Sequence, residues 1–263
     1  MALWALVFFS LLCAGLYSVV SSYASIMKRL EDRILCRYLV RAAYHDALNV
    51  LAGKTDPDKD YSDLKLESDH ASDLGSGKYI YRLIGEENKI NINKAPKDVL
   101  ARLPGMDKSL AEKITLSKLR PFYVKEEALL VEGISEENYK EFKDFVTVYG
   151  EGKVNVNIAS DEVLKALGMS DGLISQINEF LLGPDGKAGT KDDETFKSAA
   201  EILIALKWIS TEEKTLILNL TASGTLTAES KVYSLRVNTE IFGRIGPEYD
   251  IITDGRRILR WIE

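Results

Sequence analysis

Histidine, cysteine and proline are scarce in this 263-residue chain, at two, two and six. His45 and His70 are the only histidines, and neither has a partner pattern. No GxSxG, Walker loop or HExxH occurs, so nothing points to hydrolase, NTPase or zinc-protease chemistry. Acidic side chains are plentiful, but no pair can be placed in a pocket from sequence. The expectation is a protein that binds and is not an enzyme. Cys13 and Cys36 fall on what reads as one helix. At ~1.5 Å per residue they are too far apart to be bridged, so no disulfide framework is indicated. A basic excess is also missing. The net charge is −6 and the pI about 5.2, which gives a phosphate backbone no attractive field.

Charge of either sign is absent from residues 1–27, and Lys28 and Arg29 end that run. As a helix it would be about 40 Å long, enough to cross a ~30 Å hydrocarbon core. A cleaved signal would start with basic residues and have a shorter apolar core, so the segment reads as an anchor. Gly and Pro are absent from Leu30 to Leu51, and the helix is expected to continue. Leu30, Ile34, Tyr38 and Ala42 form one i,i+4 row; Leu35, Leu39, Ala43, Ala47 and Leu51 form the next. Gly53 ends it.

What is present is a phrase said twice. Asn91, Asn93, Ala95, Val99 and Leu100 return in order as Asn155, Asn157, Ala159, Val163 and Leu164. Repeats outrank other signals in reading a chain. Each copy opens with apolar–Asn alternation, a short extended segment. Asn93 and Asn157 are candidate helix caps; Pro96 and Ser160 fall in the first helical turn. Gly105 and Gly168 stop the helix in the left-handed conformation, and a second helix follows. Each unit is strand, helix, tight turn, helix.

The rest of the chain is read around this phrase. Residues 54–78 are acidic and aperiodic, a surface loop. Lys78–Ile84 is a strand, Gly85–Asn88 a turn and Lys89–Asn93 the returning strand of a hairpin. Residues 94–147 are expected to be helical throughout, with helices at Pro96–Leu103, Leu110–Leu116, Lys125–Val131 and Glu136–Val146 and a bend at Pro121. The second copy gives helices at 160–167 and 171–182, then Ser198–Lys207 and one near Glu212–Asn219. Lys231–Ile241, Tyr249–Ile252 and Arg257–Glu263 read as a three-strand meander, with a hairpin turn at Asp254-Gly255. The fold class is α+β: a long N-terminal helix, an antiparallel β body and an inserted all-α domain carrying two helix-hairpin-helix-like repeats. The expected divisions are 1–27 (transmembrane), 28–93 (first part of the body), 94–220 (insert) and 221–263 (C-terminal meander).

Residues 183–194 form the strongest ligand candidate. Asp185, Thr190, Asp192 and Asp193 gather on a Gly-rich bend, and Ca²⁺ takes six to eight oxygens from such flexible turns. The spacing is not that of an EF-hand.

Leu103–Ile114 resembles a helix-hairpin-helix motif, and the Asn-Ile-Asn-x-Ala stretch before it resembles DNA-uptake receptors of the competence family. Those motifs use Gly-apolar-Gly so that backbone N–H groups can reach a phosphate. Here Asp107 and Ser170 replace the second Gly, and nucleic acid is not an expected partner.

The layout as a whole is similar to the minor pseudopilin K family of the bacterial type II secretion system. The long apolar-then-amphipathic helix, the acidic turn Glu86-Glu87-Asn88 before the Asn-x-Asn-x-Ala strand, the helical insertion and the Pro-Asp-Gly…Gly-Thr-x-Asp-Asp run at 184–193 carry the resemblance. It implies a non-enzymatic tip or initiation component of a short pseudopilus. The implied partners are minor pseudopilins I and J, the pseudopilus shaft and the inner-membrane platform, with a prepilin peptidase acting on the precursor. It also implies bound calcium, a single pass of the inner membrane and a periplasmic body. Shaft pilins carry Glu at the fifth mature position. With Met1 as the mature start, Ala5 leaves no such carboxylate, which suits a tip. A type IV pilus minor pilin and a membrane-tethered DNA-binding protein of competence type are the alternatives.

Overall fold

The computed structural model describes residues 2–53, 68–187, 190 and 192–263, except for the side chain of Ala5. The expected acidic loop falls mostly on 54–67, outside the described residues, as does the side chain of Ala5.

The first helix, α1, runs unbroken over Ala2–Gly53. The described side chains of its first half are all exposed, and it is long and apolar enough to cross a membrane. Its second half lies on an antiparallel sheet of six strands. These are β1 (His70–Leu74), β2 (Gly77–Gly85), β7 (Tyr233–Ile241), β8 (Arg244–Ile245), β9 (Tyr249–Thr253) and β10 (Ile258–Ile262). The order across the sheet is β1-β2-β7-β9-β10, with β8 paired to β7. Alternate strand residues share a face. Tyr79, Tyr81 and Leu83, Tyr233, Leu235, Val237 and Ile241, and Tyr249 and Ile251 therefore all point at α1. They meet Cys36, Leu39, Val40, Ala43, Tyr44 and Ala47 in one buried cluster. The row Leu39–Ala43–Ala47 is thus the inner face of α1. Its small residues let the helix lie close to the tyrosines of the sheet.

A second buried cluster draws only on residues between Ile90 and Ala228. It holds α2 (Lys97–Leu100), α3 (Lys108–Leu116), α4 (Glu136–Phe142), α5 (Asp161–Ala166), α6 (Asp171–Leu182), α7 (Ile202–Ala205) and α8 (Thr211–Ala222). Two parallel ladders run through it. β3 (Ile90–Asn91) pairs with β4 (Val146–Thr147), and β5 (Val154–Asn155) pairs with β6 (Leu226–Thr227). The fold is α+β with a helical insertion, and each repeat is closed by its own ladder.

Several local expectations need correction. Residues 70–74 are not loop; they form β1, paired with β2. The strand after the acidic turn does not return along β2. Ile90–Asn91 leaves the sheet for Val146–Thr147, and the place beside β2 goes to β7 over nine residue pairs. A hairpin with one buried face cannot compete with two nine-residue strands whose apolar faces both meet α1. Residues 94–147 are not helical throughout, because 146–147 is a strand and Lys125–Leu130 is a 3₁₀ turn. Ser198–Lys207 shortens to a 3₁₀ turn at Ala199–Glu201 and one turn of α-helix.

The insertion leaves and rejoins the sheet at an acidic turn. Glu86 N donates to Val232 O at 2.8 Å. Lys231 N and Val232 N donate to Glu87 Oε1 at 3.1 and 3.3 Å. Thr147 Oγ1 and Lys89 Nζ donate to Glu86 at 2.5 and 2.8 Å. Both carboxylates are buried, and together they fasten exit, insertion and return.

Candidate functional site: hairpin turns, an acidic loop and a helix face

Asn91 and Asn155 do the same work in the two copies. Each side-chain oxygen accepts from the backbone N–H two residues on, at 2.9 and 3.0 Å. This closes the bend that follows each short strand. Asn93 and Asn157 are not helix caps. Each grips the backbone of a distant phenylalanine. Phe122 N donates to Asn93 Oδ1 at 2.7 Å while Asn93 Nδ2 donates to Phe122 O at 2.8 Å. Phe196 N and O do the same with Asn157 at 2.9 Å, and Asn157 Nδ2 also reaches Ala228 O at 2.9 Å. A cap satisfies one N–H at a wet helix end. A buried loop has both groups to satisfy, and an amide side chain has both complements. The caps are instead Pro96, which bonds through no side chain, and Ser160, which accepts from Val163 N.

The hairpin turns follow. Gly105 and Gly168 have φ of 69° and 94°, the left-handed region open to glycine. The next helices begin at the positions where the motif would carry a second glycine. Asp107 accepts from Leu110 N at 2.7 Å and caps α3. Ser170 accepts from Leu173 N at 3.1 Å and caps α6. One free N–H at the start of each second helix is therefore engaged by the chain's own side chain. Asn138 Nδ2 donates to Gly105 O at 3.0 Å, and Glu141 packs against Gly105. At the second turn, Ser170 Oγ donates to Glu213, whose carboxyl is thereby held below its usual range. Arg102 Nη1 donates to Ala166 O at 3.1 Å, joining the first hairpin to the end of α5. Carboxylates occupy or flank both turns, which repels a nucleic-acid backbone.

In the acidic loop, Asp192 Oδ1 and Asp193 Oδ2 accept from Thr190 Oγ1 and N at 2.7 and 2.9 Å. Asp185 N donates to Asp192 Oδ2 at 3.3 Å, and the Asp185 carboxylate accepts from Lys187 N at 2.8 Å. The Thr190 hydroxyl holds the Asp192 carboxyl below its usual range. The donors are the hard oxygens that calcium takes. As the side chains stand, no three His, Cys, Asp or Glu are gathered closely enough to hold an ion among the described residues. The carboxylates are spent on neighbouring N–H and O–H groups.

The third feature is the outer face of α1. Leu30, Ile34 and Tyr38 are 50%, 54% and 60% exposed. They continue the apolar surface of the first half into the half that lies on the sheet. The sheet takes the Leu39 row and leaves this one uncovered.

These features define a class: a long apolar-then-amphipathic helix laid on an antiparallel sheet, with a helical insertion. The solved crystal structure of the GspK–GspI–GspJ complex from the enterotoxigenic Escherichia coli type 2 secretion system contains a similar chain. The likeness has a TM-score of 0.61 at 13% identity and covers 90% of this chain and 98% of that one. At that identity it is a likeness of fold, and the fold is the one expected of the minor pseudopilin K family. Residues 85–147 also match the helix-hairpin-helix motif model. No curated protein is significantly similar in sequence.

Two parts of this arrangement could not be read locally. Phe122 and Phe196 carry no sequence mark as clamp partners. Glu87 did carry a signal, an acidic pair at the end of a strongly apolar strand.

Proposed function

We propose that this chain is a minor pseudopilin, a structural component at the tip of a type II secretion pseudopilus that takes part in its initiation. It acts by binding and performs no catalysis. The observation that carries the reading is the uncovered row Leu30–Ile34–Tyr38, continuous with an apolar span. Such a row fits alongside a second long helix by ridges into grooves. The similar chain was solved in a complex with two other named components, which supports minor pseudopilins I and J as partners here. The pseudopilus shaft, the inner-membrane platform and a prepilin peptidase acting on the precursor follow from the same reading. The span crosses the bacterial inner membrane once and the body lies in the periplasm. Residues 94–220 are read as the insertion and 28–93 with 221–263 as the body, and the buried cluster of the insertion reaches out to Ile90 and Ala228.

The test is co-purification of the full chain with the two small pseudopilins. Ile34→Glu should abolish capture and leave the melting temperature unchanged. Capture undiminished by that substitution would sink the reading.

Calcium at Asp185, Thr190, Asp192 and Asp193 belongs to the proposal as well, supported by donor chemistry alone. Loading would require Asp192 and Asp193 to exchange Thr190 for the cation. The competing reading, a tethered DNA-binding protein, rests on the motif match at 85–147. The capped turns and the net charge count against it.

A further inference from the structure

The sheet ends near the membrane boundary in a feature that packing does not require. β7 runs antiparallel to α1. Its start, Tyr233, shares a groove with Leu48 and Leu51, and its end, Ile241, shares one with Arg29 and Asp32. The turn after Ile241 therefore points back toward the apolar half of the helix. It is fastened there, because Arg244 Nη1 pairs with Asp32 Oδ2 at 2.9 Å. A cleft of about 400 Å³ beside it is lined by Arg29, Arg33, Cys36 and Ile245 among others.

The tip itself is apolar. Phe242 is 65% and Ile245 86% exposed. Leu74, the last residue of β1 before the neighbouring β1–β2 turn at the same end, is exposed as well. Phe242 N donates to Ser76 O in that turn at 3.3 Å. Phe242 also has a φ of 49°, a conformation large side chains rarely take. Gly or Asn would suit that turn better, so a solvent-facing aromatic there serves something other than folding.

The charge-free run ends at Met27. At ~1.5 Å per residue, Asp32 lies about 7–8 Å beyond it along the helix, roughly the depth of one headgroup layer. With the hydrocarbon edge at Met27, where the first charges follow, the hairpin tip fastened to Asp32 lies at the height of the headgroups, where aromatic and aliphatic side chains partition. Lys28 and Arg29 lie about 5–6 Å nearer the apolar run, on stems long enough to reach phosphates.

We propose that the β7–β8 turn, Phe242 to Ile245, is a second membrane contact, a foot that rests in the lipid headgroup layer beside the emerging α1. It fixes the tilt and rotation of the body over the membrane, which a single helix leaves free. The inference rests on the anchor reading of residues 1–27.

The test uses the full chain in phosphatidylcholine–phosphatidylglycerol nanodiscs on a Cys36→Ala background. A nitroxide is placed at native Cys13, or, with Cys13→Ser, at Ile245→Cys or Ile204→Cys. Collisions with oxygen and with a water-soluble nickel complex are measured at each. Position 13 should report hydrocarbon and position 204 bulk water. Position 245 should show oxygen collisions retained and nickel collisions several-fold below those at 204. Nickel access at 245 equal to that at 204, with 13 in hydrocarbon, overturns the foot and spares the anchor. Low collisions with both reagents at 245 mean a protein contact and also overturn the foot. Nickel access at 13 overturns anchor and foot together.

Discussion

Asn93 holds both backbone groups of Phe122, at 2.7 and 2.8 Å, and Asn157 repeats that grip on Phe196. The duplication in the sequence is therefore a duplicated clamp. Each copy ties the start of a repeat to the loop that follows its second helix. Asn93→Ala should lower stability by about 2 kcal/mol, and Asn157→Ala by more, since it also strands Ala228 O. Denaturant unfolding of the two variants measures the difference.

The hairpin turns should accept helix-cap changes without gaining a ligand. Asp107→Ala is expected to cost about 1 kcal/mol, and Asp107→Gly less, because Gly is itself a tolerated cap. Neither variant, nor the parent chain, should retard a short duplex at low salt. A salt-dependent shift by the parent chain would favour the DNA-binding alternative.

Glu87 should make stability pH-dependent in a particular direction. Burial raises its pKa, against the backbone N–H groups that lower it. A carboxyl whose folded pKa is raised contributes most when protonated, and that contribution is lost as pH rises through the folded value. Glu87→Gln keeps an acceptor for Lys231 N and Val232 N and removes the charge. Between pH 4 and 8 its melting temperature should fall less with rising pH than that of the parent. A steeper fall would contradict the assignment.

Glu263 should act in the opposite sense and weakly. Arg37 and then Arg33 hold its carboxyl below the usual range, and they reach it at 2.8 and 2.5 Å. Stability from this group is present above the ordinary carboxylate range and is lost as pH falls through the lowered value. The pairs are solvent-exposed on the arginine side, so Glu263→Gln should change the melting temperature little at physiological salt.

Calcium should raise the melting temperature of the parent chain, and excess chelator should reverse the rise. Asp192→Asn should remove the response without changing the calcium-free melting temperature. A parent unmoved by either addition would eliminate the site.

Much of this protein is determined along the chain. The unbroken α1 follows from a charge-free run joined to a Gly- and Pro-free amphipathic stretch. The three C-terminal strands follow from alternation, and the hairpin turns follow from Gly105 and Gly168. These are contacts within a few residues, and local spacing encodes them. Partner choice is different, because an extended segment shows which face is apolar and not which strand it joins. Thus Ile90–Asn91 read as the return of a hairpin, whereas it pairs with Val146–Thr147, and β2 waits for β7 from the far side of the insertion. β1 was hidden for a related reason: an edge strand needs one neighbour and little apolar pattern.

The duplicated Asn-x-Asn-x-Ala phrase belongs to both levels. The sequence by itself determined that it would be used twice in one geometry. Only the tertiary structure decided that Asn93 and Asn157 serve distant loops and not their own helices. The reason is burial: two backbone groups of Phe122 or Phe196 removed from water cost more than one N–H at an open helix end. The same holds at the surface. Sequence laid two apolar rows on α1, and only the docking of the sheet on the Leu39 row decided that Leu30, Ile34 and Tyr38 would be left uncovered.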